Sequence, residues 1–268
     1  MSLILRGCRT SSRSVFSALE RYRLANEVET TYGLPSIEDM EKLKAESKRI
    51  LTDPICDVTE GEVRSFLLPA EPESGSLYDR ARWAISGRSE ATNRLFRLTI
   101  ERLENRRLQA ALGIGHGFNQ QLFWMMLHAW VLHKRMVVYE DGAQEEDYFE
   151  ALFKVIDHWL LLKEIPRHRL TLEIANAQRH ALGFCVGLDV AIEKPEILGV
   201  RVKETLKGAF FDQNPKNMEI SQIDRLTKYL IRQASFALHI PRENFLQGQF
   251  VWIDFPIQPE TVRKIYKN

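Results

Sequence analysis

Residues 122–132 read LFWMMLHAWVL, and their apolar character is the best guide to the fold of this chain. Ten of the eleven are apolar, and the exception is His128. The run is too short to cross a bilayer, which requires about 20 residues. It is apolar on every side, whereas a helix at a protein surface keeps one polar face. It therefore predicts a buried central helix, at about 118–139, enclosed by other helices.

The overall composition is that of an ordinary globular protein. The chain has 268 residues, of which 44% are hydrophobic and 27% charged, and its formal net charge is +1. This balance gives no indication of a polyanionic partner, so we expect no direct sequence-specific binding of nucleic acid. Cys8, Cys56 and Cys185 lie far apart and predict neither a disulfide framework nor a metal site.

The first 19 residues differ from the rest of the chain in charge. They contain Arg6, Arg9 and Arg13 among several serines, and the first acidic residue is Glu20. Basic, serine-containing and acid-poor segments are typical of mitochondrial targeting signals. A basic terminal segment with no targeting role is the alternative. We accordingly expect a mitochondrial location, in the matrix or at the matrix face of the inner membrane.

Helical periodicity runs along most of the chain, and glycine and proline separate the periodic segments. The expected helices lie at about 14–31, 36–51, 89–108, 118–139, 145–162, 169–193, 196–211 and 218–239, with a short one after Pro241. Only residues 250–255 alternate like a strand, and one strand cannot form a sheet. The expected fold class is an all-α bundle of about 8–10 helices.

Proline, glycine and serine cluster at residues 68–76, which is typical of a linker. The expected organisation is a targeting segment (1–19), an N-terminal helical arm (20–67), the linker, a main helical domain (77–250) and a C-terminal tail (251–268). Within the main domain, we expect the five arginines of the amphipathic helix at 89–108, Arg102 among them, to lie in solvent.

No catalytic or metal-binding arrangement is visible in the sequence. His128 and His133 are five residues apart, whereas a metal-binding pair on one helical face requires four. Gly113, Gly115 and Gly117 lack the spacing and the preceding strand of a nucleotide-binding loop and instead predict a turn. We therefore expect no catalytic residue, no cofactor and no metal, and a small-molecule enzyme is the least favoured class.

The residues of the central helix allow two interpretations. His128 is either a core histidine whose nitrogens are satisfied by neighbouring polar groups or a contact for a partner. Trp124, Met125, Met126 and Trp130 either pack in the core or line an apolar groove. Burial is the favoured interpretation in both cases.

Several residues in and after the central helix form a pattern. Its members are Phe118-Asn119, Trp124, Leu127-His128-x-Trp130 and Arg135, then Leu152, Asp157 and Trp159, and later Phe245-Leu246-x-Gly248. This pattern resembles the ubiquinol–cytochrome c chaperone family, whose mitochondrial and alphaproteobacterial members assist the biogenesis of cytochrome b in respiratory complex III. The resemblance covers about residues 80–250 and is most specific over 118–160.

The resemblance implies a non-enzymatic chaperone that binds a hydrophobic client, either cytochrome b or another subunit of a mitochondrial complex, without a cofactor. The partner-binding residues that it implies are Trp124, His128, Trp130, Arg135 and Asp157. The inner-membrane surface is a further partner to consider. The alternative function is that of a structural, supernumerary subunit of a respiratory complex, ATP synthase or mitoribosome that retains the chaperone fold.

Overall fold

The computed structural model describes residues 36–68, 90–138, 142–163, 165–211 and 220–256. Within these ranges the chain forms ten α-helices and one 3-10 helix, Pro195–Ile197. The α-helices are α1 (Ile37–Leu51), α2 (Glu60–Ser65), α3 (Glu90–Glu104), α4 (Arg106–Leu112), α5 (Phe118–Val138), α6 (Gly142–Leu161), α7 (Arg167–Ile192), α8 (Leu198–Phe210), α9 (Ile220–His239) and α10 (Arg242–Leu246). The predicted all-α fold is confirmed for these residues.

Helix α5 is the predicted central helix. It packs against α3, α6, α7, α8 and α9, so that helices surround it on nearly all sides. Most of its side chains, from Gln121 to Leu132, are buried, as the apolar run requires. The expectation of a buried helix at about 118–139 is therefore confirmed.

Two local capping signals explain helix ends that periodicity alone misplaced. The predicted helix at 89–108 is in fact interrupted, because the Asn105 side chain accepts a hydrogen bond from the backbone N–H of Leu108 and thereby begins α4. Helix α2, which was not predicted, begins with a reciprocal capping box between Thr59 and Glu62. Short polar residues thus set boundaries that the apolar pattern does not reveal.

The first described helices pack on the rest of the bundle. Helix α1 lies against α8 and α9, and the backbone N–H of Gly199 donates to the buried Ser47 hydroxyl at 2.9 Å. The predicted division into arm, linker, domain and tail stays a prediction. Residues 1–35, with the predicted targeting segment and the helix at 14–31, lie outside the described residues, as does all of the predicted linker except Leu68.

Arg232 of α9 joins three segments that are distant in sequence. Its guanidinium donates to the carbonyl oxygens of Ile55 (3.1 Å), Asp57 (2.7 Å) and Asp254 (3.0 Å). It also pairs with the Glu62 carboxylate at 2.8 Å. A planar guanidinium can satisfy several acceptors at once, so this one side chain holds both the N-terminal helices and the C-terminal segment against α9.

Residues 249–255, here called the C-terminal strap, follow α10 without helical structure. Leu67 and Phe250 form an isolated antiparallel bridge, and the described residues contain no longer strand pairing. Phe250, Trp252, Ile253 and Phe255 are buried. The strand-like alternation of this segment therefore marks a strap inserted in the core, and the part of the predicted tail up to Phe255 belongs to the packed body.

Candidate functional site

The structure brings together only two of the five residues implied as partner contacts. Trp124 and His128 of α5 are both fully buried, and their ring centroids are 4.4 Å apart. Trp130, also on α5, is buried, and Arg135 is half-buried in the last turn of the same helix. Asp157 lies on α6. Trp124 and His128 have no surface with which to contact a partner while the bundle is folded.

The hydrogen bonds of His128 determine which of its ring nitrogens carries the proton. Nδ1 lies 2.8 Å from the carbonyl oxygen of Trp124, which can only accept, so Nδ1 carries the hydrogen. Nε2 therefore accepts from the Tyr229 hydroxyl, 2.6 Å away. Burial lowers the pKa of His128 to about 3, with a further contribution from the nearby Arg102 charge. The imidazole is accordingly neutral at physiological pH.

Aromatic rings surround this histidine. The Trp124 ring lies 5.2 Å from that of Tyr229, and the Trp252 ring of the strap lies 5.1 Å from that of His128. Both indole N–H groups are satisfied, by the carbonyl oxygens of Arg102 and Leu98 respectively, each at 2.9 Å. A cluster with satisfied polar atoms and no exposed surface is a packed core, which agrees with the favoured interpretation of His128.

Arg102 corrects one expectation from the sequence. It is only 8% exposed, and its guanidinium donates to the Ile253 carbonyl oxygen in the strap at 3.0 Å. Gln233 donates to the same carbonyl at 3.0 Å. Arg102 is therefore a core residue that fixes the strap, because a buried segment outside any helix or sheet has carbonyl groups that need donors from elsewhere.

Trp130 and Arg135 make polar contacts nearer the surface. The Trp130 N–H donates to the Asp189 carboxylate of α7 at 2.7 Å, and Lys134 pairs with the same carboxylate. Arg135 donates to the carbonyl oxygen of Ile240, just after α9, at 2.7 Å. Both side chains thus connect α5 to neighbouring segments, and of the two only Arg135 is partly exposed.

Asp157 differs from the other four in its environment. Its side chain is half-buried, and one carboxylate oxygen is shielded from solvent without a hydrogen-bond partner among the described residues. Burial raises its pKa above the usual value for an aspartate. An unsatisfied, partly buried carboxylate is costly for the free protein, so this position calls for an explanation.

A half-open cavity of about 740 Å³ lies between the start of α5, the end of α6 and the middle of α7. Its walls combine apolar side chains, such as Phe118 and Leu160, with the polar side chains of Asn119, Asn176 and His180. Its lining residues include no cysteine, serine or threonine, and none of the five predicted contacts. The cavity therefore offers no hydroxyl or thiol nucleophile.

The described residues provide little for metal or thiol chemistry. They contain no cluster of three or more histidine, cysteine or acidic side chains that could hold a metal ion. Burial raises the pKa of Cys56 to about 11 and that of Cys185 to about 12. Both thiols are therefore protonated at neutral pH and are poor nucleophiles.

The region from α4 to the strap matches a known family. The model of the family described as ubiquinol-cytochrome C chaperone matches residues 110–252, just over half of the chain. The chain belongs to this family. Since family members are chaperones, the protein is expected to act on other proteins. None of the curated proteins matches the chain significantly.

A solved structure supports the fold of this chaperone family member. The chain is similar to the Cbp3 homolog from Brucella abortus, with 14% identity and a TM-score of 0.55. The match covers 67% of this chain and 97% of that chain. At this low identity, the likeness concerns the fold alone.

The chaperone-family region includes the buried aromatic side chains that surround His128. Trp124 and His128, together with Tyr229 and Trp252, all lie within the matched residues 110–252. Sequence reasoning found the first two and missed the others. Tyr229 occupies an ordinary position in the predicted helix 218–239, and nothing in the sequence pairs it with a histidine about 100 residues earlier. The alternation at 250–255 is the one signal that could have indicated the burial of Trp252, but we interpreted it only as an isolated strand.

Proposed function

We propose that the protein is a non-catalytic mitochondrial chaperone that assists the biogenesis of cytochrome b and complex III by binding this hydrophobic client. The observation that carries the proposal is the family match over residues 110–252, which includes all five predicted contact residues. The basic, acid-poor first 19 residues support the mitochondrial location. The proposal requires neither a cofactor nor a metal.

Within this proposal, Asp157 is the residue best suited to contact the client. A donor from a bound protein would satisfy its shielded carboxylate oxygen and remove the cost of leaving it unpaired. Arg135 contributes through its exposed portion, whereas Trp130 is buried and contributes by fastening α5 to Asp189 of α7. Trp124 and His128 contribute indirectly, because they hold α5 in the position from which these side chains project.

Affinity capture tests the function. The tagged protein is isolated from gently solubilised mitochondria of the source organism, and its partners are quantified by mass spectrometry with and without inhibition of mitochondrial translation. We expect capture of newly made cytochrome b that is lost when translation stops. Constant, equimolar recovery of the protein with a mature complex would contradict the chaperone role and support the alternative, a structural subunit.

A pair of substitutions tests the contact. Asp157→Asn removes the charge whose burial is unfavourable, so we expect unchanged or slightly raised stability together with weaker capture of cytochrome b. Glu101→Gln, an exposed carboxylate on α3, is the matched control and should change neither. Because stability and capture are expected to move separately, reduced capture that accompanies reduced stability would indicate a structural role for Asp157 instead.

A further inference from the structure

Helix α1 packs on the bundle away from the main apolar core. Among its described side chains, only Ser47 and Ile50 are buried, and its other apolar side chains are half-buried at most. Neither of the two buried residues belongs to the contiguous apolar core, to which α3 and each helix from α5 to α9 contribute. Burial of an apolar face is what makes most helices inseparable from a bundle. For α1 this contribution is small.

The closest approach between α1 and the bundle is at Gly199, near the start of α8. The backbone N–H of Gly199 donates to the Ser47 hydroxyl at 2.9 Å. A Cβ on Gly199 would lie 3.0 Å from the carbonyl oxygen of Ser47 and 3.1 Å from the Cβ of Ile50. The absence of a side chain at Gly199 therefore gives α1 the room to lie this close to α8.

Ion pairs join α1 to the bundle beside this contact. Glu46 pairs with Lys203 of α8 at 3.4 Å, and Arg49 pairs with Asp224 of α9 at 3.6 Å. Within each surface the charges also pair with each other, Glu46 with Arg49 at 2.8 Å and Lys203 with Asp224 at 2.7 Å. All four side chains reach solvent. Separation of α1 from the bundle therefore leaves no charge without a partner, which keeps its electrostatic cost low.

The chain that follows α1 is fastened more firmly. Asp53 pairs with Lys228 of α9, and Arg232 donates to two carbonyl oxygens of the segment 55–57. Val63 of α2 then belongs to the apolar core. The bundle thus holds the chain from Asp53 onwards, and α1 is the part that can separate.

We propose that α1 is a detachable lid on α8 and α9. It leaves them as a unit while the rest of the bundle stays folded, and an amphipathic helix of a protein partner takes its place. Partly independent opening of one helix is common in proteins when few apolar contacts hold that helix. The uncovered part of α8 and α9 lies within the family match at 110–252, whereas α1 precedes it.

The surface beneath α1 shows which helix fits there. Gly199 favours a small polar side chain at the point of closest approach, and the pair of Lys203 and Asp224 favours an acid and a base one turn apart. Helix α1 supplies this pattern as Glu46, Ser47 and Arg49. A partner helix with the same pattern would compete with α1. Because this surface does not include α6, the inference is independent of the client contact proposed for that helix.

Hydrogen exchange of the full chain, measured by mass spectrometry, tests the opening. We expect the amides of α1 to exchange at least about tenfold faster than those of α5. Gly199→Val should increase the exchange of α1 about tenfold further and leave α5 unchanged, because the new side chain meets only α1. The matched control is Gly183→Val on α7, where a Cβ has open space, and it should change neither helix.

A labelled synthetic peptide of residues 36–53 tests the uncovered surface, with fluorescence anisotropy as the measurement. Its receptor is the full chain with Ile50→Asp, which detaches the chain's own α1 because a buried, unpaired carboxylate is unfavourable. We expect this variant to bind the peptide at least about tenfold more tightly than the unmodified chain does, since the peptide no longer competes with α1. Glu41→Gln, an exposed position of α1, is the control and should bind like the unmodified chain.

Three results would overturn the proposal. The first is equal protection of α1 and α5 in the unmodified chain. The second is a loss of protection throughout the bundle in Gly199→Val or Ile50→Asp, which would show that α1 is an integral part of the fold. The third is peptide binding by Ile50→Asp that is absent or no tighter than that of the unmodified chain.

Discussion

The Tyr229 hydroxyl donates a 2.6 Å hydrogen bond to Nε2 of His128, and both side chains are shielded from water. The bond connects α9 to the central helix α5. Because neither group can turn to solvent, removing one partner leaves the other unsatisfied in a low-dielectric interior. Loss of this hydrogen bond should therefore cause a measurable decrease in the stability of the core.

Tyr229→Phe should lower the free energy of unfolding by about 1–3 kcal/mol, because the imidazole Nε2 loses its donor. Urea unfolding followed by circular dichroism measures the change. Tyr148→Phe is the comparison, since the Tyr148 hydroxyl lies 2.7 Å from Thr99, whose own hydroxyl also donates to the Leu95 carbonyl. Tyr148→Phe should lower the free energy of unfolding by less than Tyr229→Phe does. An equal or larger decrease would contradict the role assigned to the hydrogen bond between Tyr229 and His128.

Stability should fall as the pH falls below about 6.5, through His128. The pKa of this residue is about 3 in the folded chain and near 6.5 when unfolded, so between these values the unfolded chain binds the additional proton. The contribution is complete above the unfolded pKa and is lost on acidification, with a slope of up to about 1.4 kcal/mol per pH unit. Urea unfolding at pH 7, 6 and 5 measures this slope.

The contribution of His128 to the pH dependence of stability can be separated from that of the acidic groups. The hydrogen bond with Arg49 is the main cause that lowers the pKa of Glu46 to about 2. The stability that this charged carboxylate contributes is therefore lost only at more acidic pH. His128→Gln should remove the slope between about pH 6.5 and 5. In NMR titrations, the His128 ring of the folded chain should stay neutral to about pH 4, and a titration near pH 6 would contradict its burial.

Arg232→Lys should destabilise the protein by about 2–4 kcal/mol, because a single ammonium cannot replace the guanidinium at three carbonyls and one carboxylate. Urea unfolding measures the loss, and limited proteolysis should show faster cleavage near residues 52–59. The control is Arg179→Lys on α7, an exposed arginine with a 3.4 Å contact to Asn176. Equal stability of the two variants would show that Arg232 does not fasten these segments.

Gly248→Ala should destabilise the protein by about 1–3 kcal/mol, because the residue has a φ of +62° and a Cβ would approach that of Arg94 to 2.6 Å. Gly183→Ala is the matched control, since this helical glycine of α7 has open space around it. There the substitution should stabilise by about 0.5–1 kcal/mol. The melting temperatures should move in opposite directions, and a shift in the same direction would contradict this assignment.

Most of the helical architecture could be predicted because it depends on neighbours in sequence. The apolar run at 122–132 predicted α5, and the periodicity at 36–51 predicted α1. In the structure the Ser36 hydroxyl caps α1 by accepting the Asp39 N–H at 3.1 Å. The site could be predicted only in part. The burial of His128 followed from its surroundings in the run, whereas the expectation of a solvated Arg102 was wrong.

What the amino-acid sequence determined by itself was most of the helices, though not α2 or the break between α3 and α4, and the identity of the helix at the centre, because periodicity acts over a few residues. Only the tertiary structure decided which polar groups meet in the core. Tyr229 reaches His128 across 101 residues, and Arg102 reaches the strap at Ile253 across 151. Such pairings depend on how the helices pack, and no local pattern encodes that packing.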